Sequence, residues 1–239
     1  MPASIGRGSG YNAEEKVSVS TRVVVAYHTG YGKTGSLARA VARGAASVEG
    51  VSVDIVDVTA LDDVGWATLD AADAIIFGSP TYFGSLSAGM KGFLESTVDR
   101  WIDGPRWKDK LAAGFTNSKT MSGDKLNTLF DLAAFAAQHG MIWVGLDLYP
   151  GWHTADPAGS NVRTLPAAAP QMNDVGVDGS TDLNRLGSWF GVMSQANSDE
   201  GPDVAPPASD LATGEHLGRR VAQTALVFAR GREAVPASV

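Results

Sequence analysis

Apolar positions along this chain follow two alternating spacings. Short runs in which every residue or every second residue is apolar give way to stretches with apolar residues three and four apart, the signatures of strands and helices. Val23–Tyr27 (VVVAY) reads as a buried β-branched strand, and Ser36–Ala46 places Leu37, Ala40, Val41 and Ala45 on one helical face. Val51–Val58 (VSVDIVDV) alternates like a less buried strand. After a short irregular or helical piece, Ala74–Phe77 (AIIF) is a fully apolar strand. Ser87–Val98 has helical spacing through Met90, Phe93, Leu94 and Val98. Leu111–Phe115 predicts a fourth strand, Lys125–Gln138 an apolar helix, and Met141–Leu146 (MIWVGL) a fifth strand.

Five strands alternating with helices predict an α/β fold: a doubly wound parallel sheet with helices on both faces. About 147–209 is rich in Gly, Pro, Ser, Asn and Asp and lacks periodicity, so it is expected as a long irregular insert. Within it only Leu183–Gln195, with Trp189 and Phe190, carries hydrophobic anchors, and these are expected over a neighbouring active site, across a subunit interface, or on the chain's own core. Asp210–Arg230 closes the chain with a helix, Asp210 being the expected N-cap. Residues 21–232 thus form one domain, between a loose tail at 1–20 and a short one at 233–239.

Composition narrows the chemistry. A 239-residue chain that is 44% apolar has ample material for a core. Zero cysteines remove disulfides and thiolate chemistry, so redox work requires a cofactor, and no metal site is expected. The first twenty residues lack the apolar segment of a signal peptide, and no run approaches the roughly 20 apolar residues that span a bilayer. A cytoplasmic location is expected. A net charge of −7 argues against a nucleic-acid surface.

Candidate chemistry begins directly after the first strand, in YHTGYGKTGS. A triphosphate-binding P-loop requires G-x-x-x-x-G-K-[ST], but its first glycine would fall where Tyr27 stands, and AIIF runs into Gly78-Ser79-Pro80 rather than a metal-binding Asp. Gly30, Gly32 and Gly35 also spell the dinucleotide G-x-G-x-x-G, with Asp54 and Asp57 as ribose partners. His28 and Thr29, however, intervene before the first glycine. A third reading is a phosphate cradle of Thr29 and Thr34 hydroxyls and backbone N–H groups from Gly30 through Tyr31, Gly32 and Lys33 to Thr34, suited to FMN. A glycine-rich turn without a ligand is the fourth.

Ligands in open parallel sheets bind at the carboxyl ends of strands, so the loops after strands three and four bear on the choice. Pro80, Thr81, Tyr82, Phe83 and Gly84 combine a stiff backbone, two flat rings and a turn, which suits a heterocycle. Thr116, Asn117, Ser118, Ser122 and Gly123 lie in a loop of hydroxyls and amide, where Asp124 or Ser122 is also expected to cap the next helix. His139 ends that helix one residue before Gly140, and two readings are open: a place near the heterocycle, or a helix-end histidine that satisfies carbonyls.

Taken in order, YHTGYGKTGSLARAVARGA, DAIIFGSPTYFGSLSAGMKGFLE, LAAGFTNSKTMSGDKLNTL and AAQHGMIWVGL resemble the flavodoxin-like superfamily. Within it they are most similar to WrbA-type NAD(P)H:quinone oxidoreductases and related NAD(P)H-dependent FMN reductases. The resemblance implies a five-stranded flavodoxin fold holding FMN through its three loops, with NAD(P)H as electron donor and a quinone-like acceptor. It also implies a homodimer or homotetramer, and a His139 beside the flavin and substrate pocket; His139, acting on the acceptor, and Tyr82, walling the pocket, are the expected catalytic residues. The first loop is one residue longer than in WrbA proteins, Tyr82 stands where they carry arginine, and the third loop is poorer in glycine. A one-electron flavodoxin serving a protein partner, and an NAD-binding protein without flavin, are the rival functions.

Overall fold

The computed structural model describes residues 21–150 and 183–234. The expected N-terminal tail, most of the C-terminal one, and the insert from 151 to 182 with Trp152 lie outside the described residues.

Alternation along each strand sorts side chains between two cores. In β1 (Thr21–Tyr27), Val23 and Val25 enter one cluster while Val24 and Ala26 enter the other, and Ile75 and Ile76 of β3 (Ala74–Tyr82) divide the same way. The first core is closed by α1 (Lys33–Ala46) and α6 (Ala208–Ala234) through Leu37, Val41, Leu217 and Val221. These two helices touch at backbone level, since a Cβ on Gly218 would overlap the Val41 carbonyl. The second core gathers Met90, Phe93 and Leu94 of α3 (Ala88–Ser96) and Leu132 and Phe135 of α5 (Lys125–Gln138), with Trp107 fully buried among them.

β2 (Val51–Asp57), β1, β3 and β5 (Leu111–Ser118) pair in parallel in that order, followed by the two-residue β6 (Ile142–Trp143). The chain leaves β1 for β2 on one side and returns to β3 on the other. That reversal opens a crevice at the carboxyl ends of β1 and β3, the switch point where such sheets bind ligands. α2 (Asp63–Asp70) fills the piece between β2 and β3, with Asp62 as its N-cap. Beyond Thr97 a short α4 (Val98–Ile102) follows α3, so the expected Ser87–Val98 helix breaks there. A two-residue β4 (Ser85–Leu86) folds back on β3.

Two expectations need correction. Met141–Leu146 is not one strand, because only Ile142 and Trp143 pair with β5 before the chain leaves the sheet. The vacant edge is taken up again by β7 (Val192–Gln195), which pairs in parallel with Phe115–Ser118. The fifth strand position is therefore filled by two pieces, the second of which comes from within the expected 147–209 insert. Asp210 is not an N-cap either. It lies in the first turn of α6, where its buried carboxylate accepts from Arg185 Nε at 2.7 Å and Nη2 at 2.8 Å and from the Gln195 backbone N–H at 2.8 Å. Burial raises this carboxyl above its ordinary value, a rise that Arg185 and the Gln195 N–H offset only in part.

Candidate active site

The first loop turns on Gly32, which holds φ at 84° as the N-cap of α1. No side chain caps this helix and no acidic residue occupies its first turn, so its positive end faces the loop. Thr34 is buried there, and the Thr29 hydroxyl is buried with no hydrogen-bond partner. A buried hydroxyl without a partner is costly unless a ligand answers it. Gly30 lies against the Tyr82 hydroxyl, leaving no room for a Cβ.

β3 stays buried through Thr81, then turns back at once into β4 with Tyr82 opposite Ser85. The turn consists of Phe83 at φ 48° and Gly84 at φ 79°, both on the left-handed side that two-residue hairpins require. Glycine adopts this without cost, whereas a phenylalanine does not. The strain holds the Phe83 ring fully exposed on the tip, beside the half-exposed Tyr82. Burial, and then the neighbouring Tyr31, push the Tyr82 phenol above its ordinary value, so the hydroxyl keeps its proton. Asn127 anchors the turn by donating to the Gly84 carbonyl at 2.9 Å.

The third loop is shorter than expected, because β5 runs on to Ser118. Thr116 is consequently buried beneath the site, where its hydroxyl lies 2.7 Å from that of Thr81, which in turn lies 2.7 Å from that of Thr128. Asn117 is held by the Ser194 hydroxyl at 2.8 Å. Ser122 faces a neighbouring groove with Met121 and Arg185. Neither Ser122 nor Asp124 caps α5 with its side chain; Asp124 occupies the cap position at φ 54° and the Lys125 N–H goes to the Ser122 carbonyl.

Between the loops lies a cavity of about 830 Å³ lined by Tyr31, Lys33, Thr34, Pro80, Thr81, Tyr82, Phe83, Gly84, Asn117, Ser118 and Gly123. All three loops anticipated from sequence thus converge, although Thr29, Gly30, Gly32 and Thr116 lie behind the walls rather than forming them, and Ser122, expected at the cofactor, is turned to the neighbouring groove instead. Lys119, Thr120 and Asp124 join them from the third loop. The wall the sequence did not reveal is Ala196, Ser198, Glu200, Gly201 and Pro202, directly after β7. This strap closes on the first loop: Lys33 donates to the Asn197 carbonyl, Ser36 donates to the Pro202 carbonyl at 2.8 Å, and Pro202 packs where a Cβ on Gly32 would stand. Its one sequence signal was position, immediately after the anchored Leu183–Gln195 stretch.

His139 is not in this cavity. It caps the far end of α5, whose 14 residues put about 20 Å between it and the loop at Lys125. The Thr97 hydroxyl spends its hydrogen on the Leu94 carbonyl at 2.7 Å, so it accepts from His139 Nε2 at 3.0 Å. That assigns the proton to Nε2 and leaves a buried Nδ1 without a partner. The ring centroid lies 5.1 Å from that of Trp107 and 4.6 Å from that of Phe135, and burial pulls the imidazole pKa below its usual value. His139 is therefore kept from the cavity by the direction of α5, and its ring meets Thr97 rather than the helix carbonyls.

Residues 22–146 match the family model for NADPH-dependent FMN reductase. The chain belongs to this family. As an FMN reductase relative it is 34% identical over 203 residues to flavodoxin FldP of Pseudomonas aeruginosa, across 85% of this chain and 96% of that protein. It is 32% identical over 221 residues to an NAD(P)H dehydrogenase (quinone) of Azorhizobium caulinodans, across 85% and 96% of the two. Among solved structures, a flavodoxin, WrbA-like protein from Agrobacterium tumefaciens superposes with a TM-score of 0.60 at 34% identity, covering 87% of this chain and 99% of that one. The fold is accordingly flavodoxin-like, and the cofactor of the FMN reductase family is FMN.

The residues present fit that group. The unanswered Thr29 hydroxyl and the uncapped end of α1 suit a phosphate, the exposed Phe83 and Tyr82 rings suit a flat heterocycle, and Asn117, Ser118 and Thr120 supply polar groups opposite. A cavity of about 830 Å³ falls within the usual range for cofactor pockets.

Proposed function

We propose that this protein is an FMN-dependent oxidoreductase that moves two electrons from NAD(P)H to a quinone or similar flat acceptor by a ping-pong sequence. The observation that carries the reading is the cavity in which the uncapped end of α1, with Thr34 at the wall and the unpartnered Thr29 hydroxyl buried behind it, faces the strained Phe83 turn. When bound, FMN would supply the chemistry of hydride transfer between nicotinamide and acceptor. The protein's part is to bind and orient. Thr29, Thr34 and the N–H groups of the first loop hold the phosphate, and Lys33 adds charge beside it. Tyr82 and Phe83 wall the flat region where donor and acceptor take turns, and the Tyr82 phenol, protonated at neutral pH, donates a hydrogen bond towards an acceptor carbonyl. His139 has no step in this account.

No helix among the described residues is long and apolar enough to cross a membrane. A cytoplasmic site of action and a homodimer or homotetramer belong to the same reading. Purified protein is expected to show flavin absorbance and to reduce benzoquinone with NADH or NADPH. A rate no faster than that of free FMN removes the reductase assignment.

The similarity to flavodoxin FldP favours a second reading, a one-electron carrier for a protein partner. Reductive titration separates the two, since a carrier accumulates semiquinone whereas the proposed reductase passes directly from oxidised to fully reduced flavin.

A further inference from the structure

Lys125 opens α5 with its side chain completely buried, at the base of the third loop. Its ammonium donates to the Thr120 carbonyl at 2.7 Å and to the Ser118 hydroxyl at 3.2 Å. Both acceptors belong to residues lining the cavity. A buried ammonium is costly, and an uncharged side chain of similar length would fill the same volume. Its nearest charged neighbours are Asp210 of α6, Arg185 before β7 and Asp124, which precedes it. Asp210 is already engaged by Arg185 and the Gln195 N–H. The ammonium is thus spent on the loop itself. The loop's ties at Ser118, Lys119 and Thr120 are otherwise neutral: Gln195 Nε2 donates to the Lys119 carbonyl at 3.1 Å, the Ala196 N–H to the Ser118 carbonyl at 3.1 Å and the Ser118 hydroxyl to the Thr120 carbonyl at 3.0 Å, while Arg185 Nη1 reaches Met121 Sδ at 3.7 Å.

We propose that Lys125 is a charge-dependent latch: its ammonium holds Ser118 and Thr120 in the conformation that grips the cofactor, and loss of its proton loosens that grip. This rests on the assignment of FMN to the cavity. Hydrogen bonds from an ionised donor are about twice as strong as neutral ones, so a neutral amine holds the same two acceptors less firmly. An anion such as the FMN phosphate in the cavity favours the charged lysine, and by linkage the charged lysine favours the anion. Burial lowers the Lys125 pKa to about 8, which brings the change into an accessible range.

Fold stability moves the opposite way. With a folded pKa of about 8 below an unfolded value near 10.4, the cost of burying the charge is full below pH 8 and is relieved as pH rises towards the unfolded value. A lysine with a merely structural role gives no such opposition between fold stability and cofactor binding.

The test measures the FMN dissociation constant by quenching of flavin fluorescence at pH 7 and pH 9, together with the melting temperature of the apoprotein. Wild type is expected to bind about fivefold more weakly at pH 9 while its apoprotein melts higher. Lys125→Arg, which stays charged, should show no such pH dependence in binding. Lys125→Met should bind weakly at both pH values. Equal affinity of wild type at the two pH values, or a pH dependence that persists in Lys125→Arg, overturns the latch. Absence of FMN binding at every pH would instead remove the cofactor assignment, and the latch with it.

Discussion

Thr29 carries its hydroxyl into a buried position where no protein atom answers it. A hydrogen bond to a charged acceptor contributes roughly 1.5–3 kcal/mol, so Thr29→Val should weaken FMN binding about tenfold or more. Apoprotein stability should be unchanged or slightly higher, since the variant removes an unsatisfied group. Fluorescence titration and thermal melting report the two effects separately. His139 predicts a pH effect on stability rather than on catalysis. Its folded pKa lies below the unfolded value near 6.5, so the unfolded chain takes up a proton first and the fold loses stability as pH falls below that value. His139→Gln should flatten this loss between pH 7 and pH 5 in melting experiments and leave the kinetics of quinone reduction intact. A change in quinone turnover with unchanged stability would return His139 to the active site.

The turn between β3 and β4 opposes stability to function. Asparagine adopts positive φ more readily than phenylalanine, so Phe83→Asn should stabilise the apoprotein by about 0.5–1 kcal/mol while weakening contact with the flat part of the cofactor. Denaturant midpoints and flavin affinity are expected to move in opposite directions. Each central element was legible because its pattern is local. Val23–Tyr27 and Ala74–Phe77 are continuous apolar β-branched runs, and the bounds of Lys125–Gln138 as a helix agree with those observed. β7 was not legible. Val-Met-Ser-Gln has no strong strand pattern and is a strand only because Phe115–Ser118 offers it a free edge. The same reason hid the strap at Ala196–Pro202, whose place is set by β7 and by Pro202 against Gly32.

At the scale of the molecule, the buried Arg185–Asp210 pair fastens β7 and its strap to α6. Removing one partner strands a buried charge, so Asp210→Ala should cost about 3–5 kcal/mol in a denaturation experiment. Surviving folded protein should bind FMN more weakly because the strap loses its anchor. Replacing both residues with leucine should restore much of the stability, since a well-packed apolar pair often substitutes without loss. If Asp210→Ala lowers stability but leaves FMN affinity untouched, the strap does not depend on this pair.

Continuous apolar runs such as Val23–Tyr27, alternating in sequence with stretches of helical spacing, determined a parallel sheet buried on both faces between helices. The polar loops after three strands determined which end carries the site. Those features depend on neighbours in sequence, and the periodicity of strand and helix imposes them. Tertiary structure alone decided that His139 faces away from the cavity, that Thr116 lies under its floor, that Asp210 pairs with Arg185 rather than capping a helix, and that the insert's last part completes the wall. Each depends on a partner distant in the chain, because the direction of α5, the length of β5 and the free edge beside it are fixed by packing.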